Sequence, residues 1–187
     1  REVTNREYAA FVVSKEYGDD AFWRRLGADR KAILSRPSGW SGSRPPEGRE
    51  DLPVAGISWN EARGYATYMG MRLPTDREWE YAARYGAGEV FEFPWGATFE
   101  SGSLSAALRP SGSNTSDVTP SGLSDMGGNV SEWVTRSEGP TGKPTASARG
   151  ASYLYPTQRI ARGVHRLTPR AGYRGPQLGL RLAKGSQ

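Results

Sequence analysis

Three Ser/Thr-x-x-Glu boxes constrain this chain most: Thr4 to Glu7, Ser58 to Glu61 and Thr75 to Glu78. In such a box the hydroxyl caps the third helical N–H and the Glu reaches back to the cap's own N–H, so each marks a helix start. Tyr8, Phe11 and Val12 follow the first box at helical spacing and predict a helix from about Asn5 to Ser14. Ala62, Tyr65, Ala66 and Met69 follow the second, with Gly70 as the stop. Trp79, Ala82 and Ala83 form the buried stripe of the third, which Gly86 ends. Between the first two, Phe22, Trp23 and Leu26 predict a short helix, and Ser35 to Glu50 an exposed, mobile loop. Beyond Gly86 no helical period recurs, and Pro, Gly and Ser punctuate short apolar runs. Helices first, then short strands and long loops, predict one α+β domain over residues 1–187.

Those loops need ordering, because 37 of the 187 residues are Gly or Pro and none is Cys. Disulfides and thiolate-bound zinc are therefore excluded. Six Trp, nine Tyr and five Phe supply the core mass. Charge is uneven: from Gly139 to Gln187 there are nine Lys or Arg and no acid, so the rest of the chain is net −4. The arginines are spaced by apolar and Gly/Pro residues, which argues against nucleic acid and for pairing with the acidic N-terminal helices. No apolar run approaches the roughly 20 residues of a membrane span, and the start lacks a signal-peptide pattern. A soluble monomer is expected, in a prokaryotic cytoplasm, or displayed at a surface if a preceding segment carries a signal. Arg1 to Val3 lies flush against the first cap, the expectation for a fragment of a longer chain.

The run Gly122 to Val134, GLSDMGGNVSEWV, is too irregular for a helix or strand. Its two acids, Asp125 and Glu132, could converge across the tight Gly-Gly-Asn backbone while carbonyls turn inward, an oxygen shell of the kind calcium takes. The other reading is a glycine-rich turn whose acids cap neighbouring backbone.

Seven blocks in order resemble the formylglycine-generating enzyme, or sulfatase-modifying factor, family: Glu2-Val3-Thr4-Asn5; Pro53-Val54 through Ser58-Trp59; Arg72-Leu73-Pro74-Thr75 with Glu78 to Arg84; Phe93-Pro94-Trp95-Gly96; Gly122-Leu123 through Glu132-Trp133; Arg149 to Tyr153; and Gly179 to Ala183. The resemblance implies a C-type-lectin-like fold with two main helices, few regular strands and a ligand face on the C-terminal region. It also implies a strand-bearing segment before Glu2 that is absent here. By the same resemblance one structural calcium would be held by the side chains of Asp125 and Glu132 and the carbonyls of Gly128 and Val130. The family's other calcium site relies on an Asn-Ile-Trp loop that this chain lacks.

The family's oxidation of a substrate Cys uses a copper-binding cysteine pair, and the corresponding stretch here runs from Tyr153 to Ile160 without one. Its sulfoxide-synthase branch places iron on several His, or on His plus a carboxylate, whereas His165 is the sole His. Neither copper, iron nor zinc is expected. A nucleophilic triad would need that same His as base, and no Gly-x-Ser-x-Gly elbow is present. Glu78 and Glu80, two apart on a helix, point to different faces and read as cap and ion-pair groups.

A binding protein is the remaining class. Arg149 to Ala183 resembles the ligand-facing segment of variable proteins of diversity-generating retroelements. Arg162, Arg166, Arg170 and Arg174 would form a scaffold, with Tyr153, Tyr155, Gln158, His165, Leu167, Tyr173 and Gln177 contacting a protein or other macromolecule. Tyrosine suits such a face because it offers large contact area at little entropic cost. The same alternation would describe a core strand pair. The competing expectations are an oxidoreductase-family domain that has lost or borrows its metal site, and a regulatory lectin-like module of a larger protein.

Overall fold

The computed structural model describes residues 1–33, 36–136 and 144–185. All three boxes close as reciprocal caps, on α1 (Asn5–Val12), α4 (Trp59–Tyr68) and α5 (Asp76–Arg84). The first helix stops at Val12, short of Ser14, because the Ser14 hydroxyl accepts the N–H of Tyr17 and so caps the next turn, α2 (Lys15–Gly18). Phe22 and Trp23 sit buried in α3 (Asp20–Arg25). The stretch from residue 36 to 50 is largely exposed, with Trp40 buried as an anchor, and Ser35 lies outside the described residues.

Past α5 the chain makes a two-residue ladder of β1 (Tyr85–Gly86) with β2 (Glu89–Val90), so Gly86 belongs to a strand. The main sheet has the order β4-β3-β5, with β3 (Ser131–Arg136) central, β4 (Thr145–Arg149) antiparallel to it and β5 (Leu178–Gly179) parallel. Among the described residues one α-helix does form beyond Gly86, α6 (Gln158–Ala161), besides a 3-10 turn at Ser101–Ser103. Four residues make a single turn, too short to leave a period in the sequence.

The central strand is buried on both sides and joins the helices to the sheet. Trp133 donates its indole N–H to the Ile57 carbonyl at 2.9 Å, and Trp59 returns one to Val134 at 3.1 Å. Tyr8, Phe11, Trp23, Tyr65 and Trp133 share the main core, while Trp79 of α5, Met126 and Val134 of β3 form a smaller one. The C-terminal region is thus laid over a helical base, which decides where its side chains can go.

Candidate functional site

After β4 the chain from Gly150 to Gln177 has almost no ladder of its own, and arginines of graded burial, from the enclosed Arg149 to the exposed Arg166, tie it to the acidic helices. Arg149, fully buried, donates to Asp76 at 2.7 Å and Glu80 at 2.9 Å, and also to the carbonyls of Gly163 and His165. Arg166 pairs with the same Asp76, Arg174 with Glu61 at 2.8 Å, and Arg162 with Glu92 at 2.6 Å. Arg170 is exposed. Backbone contacts add anchors: Tyr153 N–H to Asn129, Gly163 N–H to Glu92, Trp59 N–H to Ala171 and Ser131 N–H to Gln177, all 2.8–3.0 Å. The expected pairing of the basic C-terminal region with the acidic helices is therefore present. Glu78 caps α5 and pairs with Arg72, and Glu80 pairs with Arg84 and Arg149, the roles read from their spacing.

Between these anchors Tyr155 is 56% and Tyr173 48% exposed, and Gln158 is exposed on α6. Tyr153, His165 and Gln177 are half-buried. Tyr153 lines a cleft of about 260 Å³ together with Trp40, Leu108 and Pro176. The His165 imidazole is harder to protonate than usual, through burial and then the fields of Arg159 and Arg149. Leu167 differs: it packs on the main core and exchanges both backbone hydrogen bonds with Ala148, so it lies at the sheet edge. Leu154 and Val164, 45% and 49% exposed, join the outward set, and an apolar side chain in an alternating stretch carries no mark of which way it faces.

Of the Gly122–Val134 run only the part to Val130 is an irregular turn, because Ser131–Val134 pair with β4 and β5 as the start of β3, a strand that the glycine-rich approach concealed; the run surrounds a guanidinium. Arg181 donates to both oxygens of Glu132 at 2.6 and 2.7 Å and to the carbonyls of Ser124 and Asp125, and Trp79 N–H adds a third bond to Glu132 at 2.6 Å. Asp125, in a left-handed conformation at φ 57°, accepts from Gly112 N–H. Two further buried acids complete the surroundings. Glu2 accepts from Asn129 and from Val130 N–H, and Asp117 accepts from Gly127 N–H. Burial raises the pKa of Glu2 well above the carboxylate range and that of Asp117 to about 7. Asp125 is raised too, by burial and by the field of Glu132. Among the described residues no three His, Cys, Asp or Glu side chains converge as a metal shell, so a cation here would depend on carbonyl ligands.

Comparison with known proteins agrees with this geometry. Residues 1–186 match the family model described as Sulfatase-modifying factor enzyme 1-like domain. The chain is 32% identical over 212 residues to the inactive C-alpha-formylglycine-generating enzyme 2 of Mus musculus, covering 91% of this chain and 67% of that protein. Among solved structures, CarF superposes with a TM-score of 0.65 at 21% identity, over 97% of this chain and 82% of CarF. Treponema denticola variable protein 1 does so at 0.63 and 18%, over 97% and 81%. At these identities the two structures speak for the fold, which is the C-type-lectin-like one expected.

Proposed function

Because the chain belongs to the sulfatase-modifying factor enzyme 1-like domain family, we propose that it is a non-catalytic scaffold that binds a protein or other macromolecule. The contact surface lies within residues 149–183. One observation carries the reading: the backbone of this segment is fixed from beneath by Arg149, Arg166 and Arg174, so Tyr155, Gln158 and Tyr173 can point outward without holding the fold. With no Cys and one His, the chain supplies neither a thiolate pair for copper nor a two-His set for iron. The similarity to a relative named as inactive, and the fold shared with one named as variable, support the same reading. Among the described residues no helix is long and apolar enough to cross a membrane. Incubation with a sulfatase-motif peptide, copper and oxygen should yield no aldehyde by mass spectrometry. Turnover to formylglycine would overturn the proposal.

The proposal includes one hard cation, calcium first, at the Asp125 carboxylate and the carbonyls of Gly128 and Val130, sharing Glu132 with Arg181. Charge supports it, since Glu2, Asp117, Asp125 and Glu132 are all buried around one guanidinium. Protons are the competing source of neutrality. For Asp117, raised from 3.8 to about 7, the proton-linked stability is complete below about pH 4 and is lost as pH rises to about 7. A chelator should therefore destabilise the protein more at pH 8 than at pH 5. The loss on removing a hundredfold excess over Kd is on the order of 2.7 kcal/mol. Identical melting with and without chelator at both pH values would overturn the bound cation and leave the Glu132–Arg181 pair to order the turn unaided.

A further inference from the structure

A recess of about 190 Å³ lies between α4 and the start of α5, away from the Tyr153–Gln177 segment. Ala66, Leu73, Thr135 and Pro144 wall it, and two guanidiniums, Arg63 and Arg72, border it. Arg72 is held by Glu78 at 2.6 Å, yet its Nε–H is buried without a hydrogen-bond partner. Arg63 lies 4.5 Å from the Trp59 ring centroid and gives one N–H to the Leu26 carbonyl at 3.1 Å. No carboxylate pairs with it among the described residues, and burial alone weakens its hold on the proton. A half-buried cation with no counter-charge among the described residues, beside an unsatisfied donor and an apolar wall, matches one kind of chemistry. Buried charge is tolerated when paired and hydrogen-bonded.

We propose that this recess binds a small carboxylic acid with an apolar body of about one aromatic ring. The carboxylate would pair with Arg63 and accept from Arg72 Nε, and the ring would lie against Ala66, Leu73 and Pro144. The size agrees, since an apolar cavity of about 150 Å³ takes up benzene. The site shares no lining residue with the cleft at Tyr153, so it stands independently of the proposed binding surface within residues 149–183.

Isothermal titration with 3-phenylpropionate and with 3-phenylpropanamide tests it. The acid should bind saturably and the amide at least about tenfold more weakly, because only the charged form repays the guanidinium. Arg63→Met, which keeps the stem on Trp59, should lose about tenfold for the acid, and Arg63→Lys should retain most of it. Amide signals of Ala66 and Thr135 should shift on titration. Equal binding of acid and amide, shifts confined to other residues, or no saturable binding of the acid at millimolar concentration would each overturn the assignment. If Arg63→Met fails to fold, the acid–amide contrast in the unaltered protein decides.

Discussion

Replacing Glu132 by Ala should cost about 3–5 kcal/mol in equilibrium unfolding, the range for removing one partner of a buried ion pair. Glu132 is fully buried, receives two N–H groups of Arg181, and is the acceptor of the Trp79 indole. Its loss strands a buried guanidinium and an indole N–H together, and a group left unsatisfied costs more than the bond was worth. Arg181 also donates to the Ser124 and Asp125 carbonyls, so the Gly122–Val134 turn should loosen with it. Domains of this size have only about 5–15 kcal/mol to lose. Denaturant titration checks the value, and a change below about 1 kcal/mol would mean that Arg181 finds another counter-charge.

Asp76→Ala is the second large effect, expected at about 3 kcal/mol, the low end of that range because Glu80 remains on Arg149. One carboxylate here receives both Arg149 and Arg166, and thereby ties β4 and the segment around His165 to the first turn of α5. The consequence should be local as well as global: amides near Gly163 and His165 should lose hydrogen-exchange protection first. Uniform loss across the molecule would contradict the placement of this clamp. Asp76→Asn separates charge from shape, since it keeps an acceptor but removes the countercharge, and it should fall between wild type and Asp76→Ala.

The three boxed helices were legible because a capping box is a local object, whereas the four-residue α2 and α6 were not. Thr4, Ser58 and Thr75 each meet their Glu three residues on, so spacing alone contains the geometry. The sheet was not, because β3 takes its parallel neighbour from Leu178–Gly179, and a two-residue strand has no alternation to read. The same limit hid the partner of Glu132. The acidic turn was visible, but its guanidinium, Arg181, is remote in sequence and looks like any other Arg. Leu167 shows the ambiguity of the face itself: alternating positions look alike whether they cover a core or meet solvent, and here one packs inward while Tyr155 and Tyr173 stand out.

The central claim is that the surface of the C-terminal segment is separable from the fold beneath it. Tyr155, Gln158, His165 and Tyr173 replaced together by Ser, with Leu167 left in place, tests this in one denaturant titration. Exposed positions such as Tyr155, Gln158 and Tyr173 usually change stability within about 0.5 kcal/mol each, the half-buried His165 adds somewhat more, and truncating a buried Trp costs about 3–5 kcal/mol. The account predicts cooperative unfolding with an unchanged m-value and a total loss smaller than that of Trp133→Ala alone, Trp133 being fully buried. A four-residue variant that aggregates, or unfolds as readily as Trp133→Ala, would place those side chains in the core and contradict the binding-scaffold reading.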